Sequence, residues 1–171
     1  MQDRVNVKVE ELREFSQKVL EEKGLSQQEA KITTDVLITA DQRGIESHGV
    51  ARLQRYVNGI DDGLILVEPE IETIKETPVS MVIDGGGGMG QVITHFAMEK
   101  CIEKAKNNFM CFASIRNSNH YGIAGYYTLM ALQENLIGFS STNSAPLVVP
   151  TFAKNAMIGT NPISVGVPAQ D

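Results

Sequence analysis

The chain has 171 residues, 42% apolar and 21% charged, the proportions and length of about one globular domain with a real core. Its formal net charge of −6 argues against a general nucleic-acid or anionic-membrane surface, while leaving room for a locally basic pocket. No run approaches the roughly 20 apolar residues of a membrane span, and the charged start, Met1 to Glu14, lacks the apolar stretch of a secretory signal.

Val9 to Lys23 repeats Leu12, Phe15, Val19 and Leu20 at helical spacing, and Gly24 is placed to end the helix. Ser26-Gln27-Gln28-Glu29 reads as a capping box that opens a second helix through Ile32, Val36, Leu37 and Ala40 to a stop at Gly44. Glu46-Ser47-His48-Gly49 then reads as the cap and first turn of a third helix. On it His48, Arg52 and Tyr56 are four residues apart and share a face. A cation, a phenol and an imidazole on one face can hold a carboxylate, since arginine offers a planar fork of donors. A solvated stripe paired with Asp41 or Glu46 would have the same spacing.

Ile71 to Ile74 and Val79 to Ile83 read as short strands around a turn at Thr77-Pro78. The second runs through Asp84 into four glycines, Met89 and Gly90, and then into a helix from about Gln91 to Lys106. Gly85, Gly87 and Gly90 satisfy GxGxxG between strand and helix, the setting of a Rossmann dinucleotide fingerprint. Four consecutive glycines make that match easy, and Ile115-Arg116-Asn117 stands where an acidic residue is expected. The segment is therefore read chiefly as a permissive turn. The helix after it carries Val92, Ile93, Phe96, Ala97, Cys101, Ile102 and Ala105 as a core-facing stripe, with His95 on surface or packing duty.

Cys101 and Cys111 lack CxxC spacing and read as two buried, reduced thiols, which fits a cytoplasmic chain. An apolar run from Met110 to Ile115 stops at Arg116-Asn117-Ser118-Asn119-His120, and a helix follows to about Asn135. His120 thus sits where strand gives way to helix, and an imidazole with a pKa of about 6.5 suits proton transfer near neutral pH. A capping histidine is the alternative. Leu136 to Ser141 reads as a strand leading into Thr142-Asn143-Ser144, whose short side chains could grip a cofactor, although a plain loop would look the same. Gly159-Thr160-Asn161-Pro162 is a further polar turn, and Ile163 to Val167 reads as a buried strand. No metal-ligand cluster of convincing spacing occurs.

The segments ESHGVARLQRYVNGI, GMGQVITHFAM, RNSNHYGIAGYY, TNSAPLVVP and GTNPISVGVP follow one another over nearly the whole chain. In that order they closely resemble the malate/L-lactate dehydrogenase family of the non-Rossmann type, which also holds ureidoglycolate and sulfolactate dehydrogenases and some cyclic-imine reductases. The resemblance implies an α/β fold in which a helical N-terminal region (1–65) with the substrate-binding helix precedes a mixed, largely non-Rossmann sheet with flanking helices. Residues 66–171 would be the first part of the domain that binds the nicotinamide cofactor. It further implies transfer of hydride between NAD or NADP and a small 2-hydroxy or 2-oxo acid of malate or lactate type, with His120 as general acid and base. Ser47, His48, Arg52 and Tyr56 would bind substrate, and Asn143, Ser144, Thr160 and Asn161 would bind cofactor. A homodimer is implied, with no nucleic acid, membrane or metal as partner. Family members run to about twice this length, so the chain corresponds to their N-terminal half and is not expected to be active alone. Thr151-Phe152-Ala153 departs from the family, which usually has a Gly-Gly pair there. An imine reductase on the same scaffold and a non-catalytic binding or dimerisation module are the other readings.

Overall fold

The computed structural model describes residues 6–169. The first five residues of the charged start and the closing Gln170 and Asp171 lie outside the described residues. Within that span the chain packs as two compact units, one ending at Ile123 and the other beginning at Ala124.

The first unit opens with helix α1 (Val9–Glu22) against α2 (Gln27–Gln42). Ser26 caps α2 as expected: its hydroxyl accepts the Glu29 backbone N–H, and the Glu29 carboxylate accepts the Ser26 N–H at 2.9 Å. Gly24 and Gly44, at φ +100° and +73°, follow the two helices. The stripe on α1 differs from expectation at Phe15, which is 58% exposed. Ser16 takes the buried place, because it falls four residues from both Leu12 and Leu20 on the inward line and donates its hydroxyl to the Leu12 carbonyl at 2.8 Å. Arg13 ties the pair of helices together through Asp35.

The expected third helix is interrupted. Two single 3₁₀ turns, Glu46–His48 and Val50–Arg52, come first, and the α-helix α3 spans only Leu53–Asp61. The cause lies at Gly49, which is extended and buried against Asp41: a Cβ there would meet the Asp41 carboxylate at 1.7 Å. That carboxylate accepts the Val50 N–H at 2.8 Å, satisfying a donor that a continuous helix would have spent on its own backbone. Leu20, Leu25, Leu37, Leu53, Tyr56, Ile65 and Met89 form the core on which these turns rest.

Strands β1 (Glu72–Thr77), β2 (Ser80–Asp84) and β3 (Phe112–Arg116) form a sheet in that order, with β1 antiparallel and β3 parallel to β2. Helix α4 (Gly90–Asn108) makes the crossover between the parallel pair and packs Ala97 against Met81 and Ile83. Cys101 and Cys111 are free thiols, half-buried rather than buried. Burial foremost, then the neighbouring Cys111, raises the Cys101 thiol well above the ordinary cysteine range.

The glycine-rich turn is a structural knot. Gly85 and Gly87 donate their N–H groups to the carbonyls of Arg116 and Asn117 at 2.9 Å, and Gly88 donates to Gly85. Gly86 donates to the Asp84 carboxylate, which also accepts from Arg116 and Asn117. The amides that would cradle a phosphate are thus occupied by protein acceptors. The sheet is mixed, the helical region precedes it, and the architecture is the non-Rossmann α/β one expected.

In the second unit α5 (Ala124–Gln133) packs on a two-stranded antiparallel ribbon of β4 (Gly138–Ser141) and β5 (Ile163–Gly166). The expectation of a buried β5 fails: Ile163 and Val165 are 70% and 61% exposed. The half-buried positions are Ser164 and Gly166, the small residues that let α5 approach, with Ser164 Oγ 3.1 Å from Thr128 Oγ1 and Gly166 against Leu132. Among the described residues no helix is long and apolar enough to cross a membrane.

Candidate active site

His120 follows β3 on a segment held by three clamps. The Asn119 side-chain amide donates to the carbonyls of Gly87 and Gly88 at 2.8 and 3.0 Å. Gly90, at the start of α4, lets the backbone of Asn119 and His120 approach so closely that a Cβ there would meet their carbonyl oxygens at 2.2 and 2.5 Å. Gly122, at φ +84°, turns the chain where a Cβ would meet Val36 at 2.4 Å. The sequence placed His120 at a strand end; these contacts aim it.

What it is aimed at comes from the second polar cluster. The Tyr56 hydroxyl lies 2.8 Å from His120 Nδ1, and the His48 ring stacks on His120 with centroids 5.4 Å apart and planes inclined by 27°. Tyr56 is 1% exposed and belongs to the core, so it reaches a ligand only through His120. Ser47 Oγ sits 2.9 Å from His48 Nδ1, and Arg52 donates through Nε to the Ser47 carbonyl at 2.6 Å. The four residues expected to bind substrate therefore gather around His120. The carrier is a pair of 3₁₀ turns feeding α3, and not one helical face.

The electrostatics of the cluster favour neutral imidazoles and leave it receptive to negative charge. Burial foremost, then the charges of His48, Arg55 and Arg52, holds His120 down at about 4. The same causes, burial and then Arg52 and Arg55, lower His48. Burial pushes the Tyr56 phenol up to about 12, with the adjoining Gln91 amide, Arg52 and Arg55 acting the other way. Two imidazoles and two guanidiniums, with Tyr56 remaining a neutral donor at pH 7, can orient a carboxylate and exchange a proton with it nearby. Three participants were not singled out from sequence: Arg55, the Gly122 N–H and Gln91. Arg55 and Gln91 sit inside the quoted motifs, but spacing carries no sign of their proximity to His120. His95, by contrast, has a plain partner in Glu99, one helical turn on and 3.5 Å away.

The polar residues expected to hold cofactor lie in the second unit. Thr160 donates its N–H to Ser144 Oγ at 2.9 Å, the two hydroxyl oxygens are 3.2 Å apart, and Ser144 donates its N–H to Asn161 Oδ1 at 3.0 Å. Asn143 enters through its carbonyl, which accepts the Thr142 hydroxyl at 3.0 Å. Gly159 is required here, since a Cβ would meet Ser144 Oγ and its carbonyl at 2.4 Å. The result is an exposed, uncharged surface of hydroxyls and amides, a donor set that fits ribose hydroxyls and a carboxamide. Among the described residues no group of three or more His, Cys, Asp or Glu side chains could hold a metal ion.

The chain is similar to known proteins over nearly its whole length. The family model described as malate/L-lactate dehydrogenase matches residues 7–171. The chain is 49% identical over 166 residues to a malate dehydrogenase of Pyrococcus abyssi, covering 97% of the chain and 46% of that protein. It is 43% identical over 162 residues to a malate/(S)-sulfolactate dehydrogenase of Methanothermus fervidus, covering 95% of the chain and 48% of the relative. Its fold superposes on the solved malate dehydrogenase of Pyrococcus horikoshii with a TM-score of 0.97 and 46% identity, over 100% of the chain and 49% of that structure. The chain thus spans about half the length of these relatives. With the fold and the ordered motifs in agreement, the chain belongs to the malate/L-lactate dehydrogenase family.

Proposed function

We propose that the protein is a 2-hydroxy-acid dehydrogenase of malate or lactate type in which His120 is the general acid and base. The observation that carries this reading is the Tyr56–His120–His48 cluster with Arg52 at its edge. Arg52, His48 and Ser47 would face the substrate carboxylate, and Tyr56 would act through His120. A guanidinium fork and an imidazole fix a carboxylate in one orientation, which presents the adjoining C2 oxygen to His120. In oxidation His120 takes the hydroxyl proton; in reduction it returns that proton to the 2-oxo oxygen. A nicotinamide cofactor, when bound, supplies the hydride acceptor or donor. Ser144, Thr160, Asn161 and Asn143 would hold it, and NAD or NADP would serve.

Residues 1–65 then act as the substrate-binding helical region and residues 66–171 as the first part of the cofactor-binding domain. The relatives named as malate and sulfolactate dehydrogenases support a small anionic hydroxy acid as substrate. A homodimer completed by the C-terminal half that the relatives possess is the proposed working form, in the cytoplasm. The test, on the protein completed by that C-terminal half, is loss of reduced-nicotinamide absorbance with NADH or NADPH and oxaloacetate, pyruvate or sulfopyruvate. Turnover that disappears in a folded His120→Asn variant supports the reading. Turnover of a cyclic 2-imino acid alone, or cofactor-free dimerisation with no turnover, overturns it.

A further inference from the structure

His120 Nδ1 receives two groups. The Tyr56 hydroxyl is 2.8 Å away and could donate or accept, but the Gly122 backbone N–H, 3.4 Å away, can only donate. A neutral imidazole carries its proton on one nitrogen and accepts on the other. With an obligate donor aimed at Nδ1, the proton of neutral His120 belongs on Nε2, and the Tyr56 hydroxyl donates to Nδ1 as well.

A second observation concerns Gln91, in the first turn of α4. Its side chain is 0% exposed, neither amide atom makes a hydrogen bond of good geometry, and the amide lies close enough to the Tyr56 phenol to favour its ionised form. Buried amides without partners are rare in native proteins and call for an explanation. An amide offers both a donor and an acceptor, so it can serve a hydroxyl in either orientation.

We propose that Tyr56, whose hydroxyl can turn where the Gly122 N–H cannot, is the positioning residue that reinforces the resting tautomer of His120 and releases it, and that Gln91 is the alternative partner toward which its hydroxyl turns when His120 works. This rests on His120 being the proton-transfer residue. In the resting protein His120 presents Nε2–H, a donor suited to a 2-oxo oxygen. As a base it must instead present a bare Nε2: one proton is taken up from water at Nδ1 and the Nε2 proton is released to water, with no net change. The Tyr56 hydroxyl then reverses, accepting from Nδ1–H and donating to Gln91 Oε1, and the 3.4 Å Gly122 N–H contact is given up. After the substrate hydroxyl gives its proton to Nε2, the imidazolium keeps Nδ1–H on Tyr56, so the phenol stays turned through the cycle and never ionises.

The experiment is two-bond ¹H–¹⁵N correlation of the [¹⁵N]histidine-labelled protein, with the His120 signals identified by their absence in His120→Asn. The expected result is a protonated Nε2 and an unprotonated Nδ1 in the wild type, and a larger share of the other tautomer in Tyr56→Phe, where the longer Gly122 N–H contact is left to hold Nδ1 alone. A protonated Nδ1 in the resting wild type, or a folded Tyr56→Phe with the wild-type tautomer, overturns the proposal. Gln91→Leu, which keeps Tyr56, should preserve the resting tautomer and lower kcat for hydroxy-acid oxidation about tenfold, with KM little changed. An unchanged kcat removes Gln91 from the proposal. If the tautomer behaves as expected but no hydroxy acid is oxidised, the dehydrogenase reading fails and the assignment of the tautomer stands. If turnover depends on His120 but Nδ1 carries the resting proton, the reading stands and this proposal falls.

Discussion

His120 is neutral in the folded chain well below the pH at which an exposed histidine charges, and that has a thermodynamic consequence. Its folded pKa of about 4 lies below the unfolded value of about 6.5. Between those values the unfolded state binds more protons, so the stability contributed by a neutral His120 is present above about pH 6.5 and is lost as pH falls toward 4. The melting temperature should therefore drop over that window, and His120→Asn should flatten part of the drop. An equal slope in both proteins would show that other groups dominate acid unfolding. Arg52→Lys should raise KM for the 2-oxo acid about tenfold with a smaller change in kcat, because an ammonium keeps the charge but loses the fork. Steady-state kinetics distinguish that outcome from an unchanged KM. Phe152 stands at φ +65° and is fully exposed. Phe152→Gly should leave stability within about 1 kcal/mol of the parent or raise it, since relief of a left-handed side chain offsets the entropy of glycine. Denaturant unfolding would read this directly.

At the scale of elements, the parts that proved legible obey local rules. The capping box at Ser26 needs only residues three apart, and both helix stops need only glycine at positive φ. The interruption before α3 was not legible, because its cause is Asp41, eight residues upstream and brought to Gly49 by the packing of α2. The same distinction governs the GxGxxG segment. Its spacing suits a phosphate loop, but what its amides bind is decided by Arg116 and Asn117 at the end of a strand some thirty positions away. Gly90→Ala should test this contact between elements. Its methyl would press on the backbone of Asn119 and His120, so a stability loss of ~1–3 kcal/mol is expected together with reduced turnover. Unchanged melting and unchanged activity would show that the segment carrying His120 can yield.

At the scale of the whole chain, the second unit leaves large apolar side chains in water. Ile163, Val165 and Phe139 line the ribbon of β4 and β5 at 70%, 61% and 53% exposure, and Leu147 and Met157 are 79% and 69% exposed. Patches of that kind mark surfaces that meet other protein. The 171-residue chain by itself should bind a hydrophobic dye and self-associate as its concentration rises, and Val165→Lys with Ile163→Lys should reduce both without lowering the melting temperature. Light scattering and dye titration check this; a monodisperse, dye-silent chain would contradict it. The expectation that β5 is buried went wrong for the same reason. An apolar run reports that a strand can be covered, but only the rest of the fold reports whether something covers it.

By itself, then, the sequence determined the helix pair with the cap at Ser26, the strand that delivers His120 and the family, because those rest on short-range periodicity and on motifs that can be read in order. Only the tertiary structure decided that Tyr56 meets His120 Nδ1 across 64 positions, that His48 stacks on the same ring, and that Gln91 is sealed beside Tyr56. The physical reason is that hydrogen bonding, burial and the resulting protonation state depend on neighbours distant in the chain, which no local spacing encodes.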